Sequence, residues 1–219
     1  MSLLTFLNSQ VFATEVVYNF VIVAICLYIS IKAHSLYELS SHKGIKYFRN
    51  AFVFFAFGFI LRFVLNWLGG SYGIEFPWIM TAIEALFHYT MSMSGFYLVL
   101  SLIWKRLTGV VEKEYTLHFL GVAIAILNFI GSTDNFMFFT MLGILAYAII
   151  ISYGNYVEDA GRHYFLRLYY IVMVLAFVGW GANFLAQFVI PFYPPFKWYV
   201  YLITWTVFGS FFYGVAKIR

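Results

Sequence analysis

The sequence predicts an all-α protein, a bundle of seven helices that cross a membrane. Seven mostly apolar runs that average about 20 residues fill most of the chain, and we expect each to cross the ~30 Å hydrocarbon core of a bilayer as an α-helix. Apolar residues make up 63% of the chain and charged residues only 10%, against roughly 45–50% and 25% in soluble domains. The runs also lack the alternation of apolar and polar residues that a membrane β-barrel requires.

The predicted spans are Thr14–Lys32, Asn50–Gly69, Trp78–Trp104, Thr116–Ile130, Phe136–Tyr153, Phe165–Ile190 and Trp198–Ala216. The first span lacks the basic start and the cleavage site of a secretory signal, so we expect it to be retained. The second ends at Gly69-Gly70, and Pro77 precedes the third.

Polar or helix-breaking residues also delimit the later spans. The third ends at Trp104, beside a basic stretch, and the fifth ends before the polar segment that follows Tyr153. Two further breaks contain the strongest helix-stopping residues, and both predict short connections. These are Gly131, Asp134 and Asn135 after the fourth span, and Pro191, Pro194 and Pro195 after the sixth.

The distribution of positive charge predicts the orientation of the bundle. Of the 13 Lys and Arg residues, eleven fall on the side where the first span ends, whereas Lys197 alone falls in a loop on the other side. Cytoplasmic loops carry the excess of Lys and Arg, so we expect the plasma membrane of the cell, with the N-terminus outside and the C-terminus in the cytoplasm. The net charge of +4 reflects this topology, and no basic domain is available for nucleic acid.

An offset of 117 residues reveals an internal similarity. It aligns Tyr47-Phe48 with Tyr164-Phe165, Asn66 with Asn183, and Pro77 with Pro194. The offset superposes helices one to three on helices five to seven and leaves the fourth as a linker, a parallel 3+1+3 repeat. Parallel repeats place a shared cavity between the halves, and we expect the second and sixth helices to line it.

Two charged residues lie deep within the predicted spans. Arg62 and Glu84 lie at similar depth, roughly 10–12 Å from the outer ends of adjacent antiparallel helices. An unpaired charge facing lipid is costly, so a direct or water-bridged Arg62–Glu84 pair is expected. His88 follows Glu84 by one helical turn, on the same face. A Glu-x-x-x-His pair alone supplies too few ligands for a metal, and we predict neither metal nor cofactor.

Further polar residues cluster in the outer half of the bundle, whereas the inner half is almost wholly apolar. Asn66 and Asn183 occupy matching depths in the two repeats, and Trp180 lies one turn from Asn183. The sequence therefore predicts an outward-facing pocket for a small, unidentified ligand, bounded by Arg62, Asn66, Glu84, His88, Trp180 and Asn183. The alternative is that these groups only hydrogen-bond between helices, as polar residues in membrane bundles often do.

One segment suggests a family. The stretch from Gly44 to Phe55, GIKYFRNAFVFF, running on to Arg62 and Trp67, resembles the second helix of the seven-helix sensory regions at the N-termini of some prokaryotic histidine kinases. The resemblance implies a sensory membrane protein. Because the sequence ends at Arg219 without a kinase or other output domain, such a sensor is expected to signal through a cytoplasmic partner.

Other functions fit the sequence less well. A small-solute transporter of SWEET-like architecture is the second candidate, although no Pro-Gln pair occurs in a helix, and a membrane redox subunit is the third. An opsin needs a lysine within the seventh helix, and Lys197 and Lys217 only bracket that helix. No nucleophile with a neighbouring base lies at one depth, so we do not expect an enzyme.

The orientation can be tested by cysteine labelling of intact cells. We expect a cysteine at Ser2 to react with a membrane-impermeant maleimide, because the cation bias places this end outside. A cysteine added after Arg219 is expected to react only after permeabilisation, and the opposite pattern would reverse the topology.

Overall fold

The computed structural model describes residues 10–72, 77–104, 114–131, 135–158, 164–193 and 195–217, and the regular structure in these ranges is α-helical. The helices are α1 (Gln10–Ser40), α2 (Lys43–Tyr72), α3 (Pro77–Ile103), α4 (Glu114–Gly131), α5 (Asn135–Glu158), α6 (Tyr164–Val189) and α7 (Phe196–Ala216). The all-α class and all seven predicted helices are confirmed.

Several helices extend beyond the predicted spans. Helix α1 has 31 residues and continues past Lys32 to Ser40, so most of the predicted first inner connection is helical. Ser41, with a φ of 52°, makes the turn into α2. Helix α2 also runs through Gly69-Gly70 to Tyr72. Apolar runs mark the part of a helix that faces hydrocarbon, whereas backbone hydrogen bonding continues into the headgroups and water. Asp134 and Pro194 lie outside the described residues.

Six helices form a closed ring. Going around it, α1 packs on α2, α2 on α3, α3 on α5, α5 on α6, α6 on α7, and α7 on α1. This order places α2 opposite α6. We call the end with the N-termini of α1, α3, α5 and α7 the Glu15 end, and the other the Arg49 end.

Helix α4 lies outside the ring, where its described residues pack on α3 and α5. His118 holds it to α3, because its Nδ1 lies 2.6 Å from the hydroxyl oxygen of Tyr89 and its Nε2 lies 3.4 Å from that of Tyr97. A Cβ atom at Gly121 would lie only 2.8 Å from the sulfur of Met93, so glycine permits the close approach of the two helices.

The outer surface suits a lipid bilayer. Large apolar side chains point away from the bundle, including Phe20, Ile31, Phe119 and Ile150, each about two-thirds or more exposed. Among the described residues, six helices are long and apolar enough to cross a membrane, and the apolar part of α4, Tyr115–Ile130, is shorter. The structure therefore has the character of a helical membrane protein. Helix α4 has the shortest apolar stretch for crossing the bilayer.

Aromatic side chains fill the ring toward the Arg49 end. Phe52 is fully buried, with its ring centroid 5.0 Å from that of Phe211 and 6.2 Å from that of Phe208. Beside them, the hydroxyl groups of Ser101 and Tyr169 lie 2.9 Å apart. These residues join α2, α3, α6 and α7 and close the interior on this side.

Candidate functional site

The ring encloses a cavity of about 360 Å³. All six ring helices contribute side chains to its wall, and the described residues of α4 contribute none. Much of the wall is aromatic, including Phe55, Phe59, Phe87, Trp180 and Phe208. The volume lies within the range of roughly 300–1,000 Å³ that small-molecule sites occupy.

All six predicted site residues line this cavity: Arg62 and Asn66 from α2, Glu84 and His88 from α3, and Trp180 and Asn183 from α6. His88 is 3% exposed, whereas Glu84 is exposed. Trp180 also packs on Phe138 of α5, with 5.4 Å between ring centroids. These six residues come from three helices and lie up to about 120 positions apart in the sequence. They nevertheless face the same cavity.

Several of the described polar groups in the cavity do not connect helices. The amide nitrogen of Asn183 donates to the carbonyl oxygen of Gly179 at 2.9 Å, within its own helix. In the part of the chain that the structure describes, Arg62, Asn66 and Glu84 form no hydrogen bond or ion pair. These groups therefore add little to the attraction between helices.

Asn128 shows the opposite arrangement. Its side-chain oxygen accepts the backbone N–H of Met137 at 2.7 Å, and its amide nitrogen donates to the carbonyl oxygen of Ile124 at 3.0 Å. It thereby satisfies a free N–H in the first turn of α5, a group that has no partner within its own helix. Asn128, a further polar residue of the outer half, therefore bonds between helices.

The predicted direct pair between Arg62 and Glu84 is not formed, since no ion pair joins these two described residues within 4.0 Å. Arg62 points toward α1, where its guanidinium carbon lies 5.9 Å from the centre of the Tyr18 ring. Depth along the helix axis correctly predicted that both residues line one cavity. The direction in which the Arg62 side chain leaves α2, which decides its contacts, could not be predicted from the sequence.

The sequence reasoning did not identify a polar cluster at the Glu15 end. One carboxylate oxygen of Glu15 on α1 accepts both the ammonium group of Lys197 and the hydroxyl group of Tyr201, which lie at the start and in the second turn of α7. The Glu15 side chain is only 12% exposed. The Tyr201 ring stacks on Tyr18 with 4.1 Å between centroids, and both tyrosines line the cavity.

This cluster joins the first and last helices of the ring and forms part of the cavity wall. Glu15 lies more than 180 positions from Lys197 and Tyr201 in the sequence, so neither spacing nor helical periodicity relates the α1 residue to the two α7 residues. Glu15 and Lys197 were separately visible as an acidic group within the first span and the single cation in an outer loop. Equal depth was the signal that could have paired them.

Among the described residues, no group of three or more His, Cys, Asp or Glu side chains is arranged to hold a metal ion. Cys26 is fully buried in α1.

Comparison with known proteins finds a similarity to an archaeal protein. The chain is 26% identical over 182 residues to an uncharacterized protein of Archaeoglobus fulgidus, and the match covers 78% of each chain. No family model matches the sequence, and no solved structure matches it.

The separation of Arg62 and Glu84 predicts independent effects of their substitution. Because the side chains do not touch, Arg62→Met and Glu84→Gln should change the free energy of unfolding additively, within about 0.5 kcal/mol. A double-mutant cycle in detergent micelles measures this. A coupling energy above about 1 kcal/mol would show that the two groups pair in the membrane protein.

The Glu15 cluster is expected to stabilise the ring. Glu15→Gln removes the charge that two donors share, and hydrogen bonds to charged groups contribute about 1.5–3 kcal/mol, so we expect a loss of that size in denaturant unfolding. Glu38→Gln is the matched control, since Glu38 on the same helix pairs with His34 at 3.4 Å with both side chains more than half exposed. It should cost less than about 1 kcal/mol. Equal effects of the two variants would contradict a special role for Glu15.

Proposed function

We propose that this protein is a receptor-like membrane sensor that binds a small ligand in the cavity of its helix ring. The observation that carries the proposal is the state of the polar groups in the cavity. Arg62, Asn66 and Glu84 face it without any polar partner among the described residues, and Asn183 bonds only within its own helix. A ligand site is usually an apolar cavity onto which a few polar groups converge, and here three of those groups have no polar partner among the described residues.

The proposal includes the orientation inferred from charge, in which the Glu15 end faces outward and all seven helices cross the membrane. It also includes the 3+1+3 repeat. Exchanging α1, α2 and α3 with α5, α6 and α7 maps the observed ring onto itself and leaves α4 outside, as a linker helix would be. The ligand would then lie between two related halves, with α2 and α6 facing each other across it.

The aromatic closure favours a sensor over a transporter. A transporter must open a wettable path to both sides, and the ring toward the Arg49 end is filled by Phe52, Phe208 and Phe211. A sensor only requires that ligand binding change the packing of helices that reach the cytoplasm. Helix α1, which extends eight residues past Lys32, is the element we expect to carry such a change to a cytoplasmic partner.

Ligand binding can be tested by thermal unfolding of the purified protein with a fixed panel of amino acids, sugars, nucleosides and organic acids. We expect at least one compound to raise the unfolding temperature by on the order of 5 °C at about 100 times its Kd. Asn183→Leu and His88→Phe should abolish this shift, because both residues line the cavity.

The controls carry the same chemical changes outside the cavity wall. Asn155→Leu on α5 and His34→Phe on α1 should retain the full shift. A shift that survives in the cavity variants, or no shift with any compound, would contradict the proposed site. Vesicles reconstituted with the protein then separate sensor from transporter: binding without uptake of the active compound supports the sensor, and uptake would make the protein a transporter.

A further inference from the structure

The cavity holds two charges of opposite sign that do not neutralise each other. Arg62 and Glu84 both line it, and neither forms an ion pair or a hydrogen bond with any other described residue. The Arg62 guanidinium lies over the face of the Tyr18 ring, and its positive charge also interacts over a longer distance with the Glu15 carboxylate. An unpaired charge at membrane depth is costly, and residues that bear this cost commonly mark binding sites.

The remaining charges near the cavity are already matched. Lys197 also lines it, but its ammonium group binds Glu15. The Glu15 carboxylate in turn receives the Tyr201 hydroxyl group. Two charged side chains therefore remain to bind a ligand: the cation Arg62 on α2 and the anion Glu84 on α3.

The packing of α2 on α3 fixes the separation of these two charges along the bundle. A Cβ atom at Gly58 would lie 3.3 Å from the Thr90 hydroxyl oxygen and would collide with Met91, so these residues are at the same level. Counted from that level toward the Glu15 end, Arg62 is one turn or roughly 6 Å away, and Glu84 is roughly 10 Å away. The two Cα atoms are thus offset by roughly 4 Å along the axis, on helices whose axes pack about 8–10 Å apart.

The walls around the two charges are apolar and aromatic. Phe59 and Phe87 flank them on α2 and α3, and Phe55, Trp180 and Phe208 complete the wall. Aromatic rings favour offset-stacked or edge-on contacts with another ring. A cavity of about 360 Å³ lies at the lower end of the range for small-molecule sites, so the occupant is small.

We infer that the ligand is a small zwitterion with an apolar body, of the kind represented by an aromatic amino acid, whose carboxylate binds Arg62 and whose ammonium group binds Glu84. This inference rests on the proposed function. The ligand supplies to each side chain the counter-charge that the protein does not. Guanidinium binds carboxylate through two parallel hydrogen bonds, and the Glu84 carboxylate accepts from an ammonium group. The apolar body of the ligand packs against the aromatic side chains of the cavity wall.

Isothermal titration calorimetry of the full chain in detergent micelles tests this inference. The probes are L-phenylalanine, L-tryptophan and L-leucine, with two analogues of phenylalanine: 3-phenylpropionate, which lacks the ammonium group, and 2-phenylethylamine, which lacks the carboxylate. We expect at least one zwitterion to bind. Each analogue should bind ~10- to 100-fold more weakly than phenylalanine, as expected for the loss of a hydrogen-bonded charge pair.

The variants assign each charge of the ligand to its side chain. Glu84→Gln should lower the affinity for phenylalanine to the level of 3-phenylpropionate and leave the affinity for 3-phenylpropionate unchanged. Arg62→Met should likewise lower the affinity for phenylalanine to the affinity that the unaltered protein has for 2-phenylethylamine. Arg62→Lys, which retains the charge, provides a second variant if the methionine variant does not fold. Arg49→Met and Glu38→Gln, whose residues do not line the cavity, should bind phenylalanine as the unaltered protein does.

Two results would overturn the inference, and they differ in what they say of the proposed function. If an analogue with one charge binds as tightly as phenylalanine, or if only uncharged compounds of the wider panel act through Asn183 and His88, the cavity is a ligand site but not one for a zwitterion. If no compound of any charge binds, both the inference and the proposed function fail.

Discussion

The bond network around Glu15 is the contact on which the form of this protein depends. Five of the six junctions in the ring join helices separated by a single connection or by α4, and only the contact between α1 and α7 brings the ends of the bundle together. Glu15 contributes the polar part of that contact through two donors of α7, Lys197 and Tyr201. Because Tyr201 also stacks on Tyr18, the same side chains close the ring and form one wall of the cavity.

A low-dielectric surrounding determines where polar groups can lie. The bundle exposes large apolar side chains outward, such as Phe20 and Ile150, and keeps its polar residues inside or near its ends. Within the ring the two ends then differ in kind. Toward the Arg49 end, phenylalanine rings pack against one another, whereas toward the Glu15 end the interior contains charges, amides and free volume. This asymmetry gives the protein a cavity toward the Glu15 end and closely packed aromatic rings toward the Arg49 end.

Properties that follow from position along a helix could be predicted from the sequence. Apolar run length located all seven helices, and counting turns from the ends placed Arg62, Glu84 and Asn183 near the same level, where they line one cavity. Properties that depend on rotation about the helix axis or on distant partners could not. Arg62 faces α1 because of the way α2 packs between its neighbours, and no local pattern connects Glu15 with Lys197.

Asn128 and Asn183 show why residue type and depth do not by themselves decide between a binding role and a structural one. Both side-chain amides donate to a carbonyl oxygen one turn earlier in their own helix, at 3.0 Å and 2.9 Å. The difference lies in what faces the side chain. Asn128 meets the start of α5 and accepts its free N–H, which occupies the oxygen in a structural bond. Asn183 meets the cavity, and a polar group that faces open space in an apolar bundle is one that a ligand can satisfy.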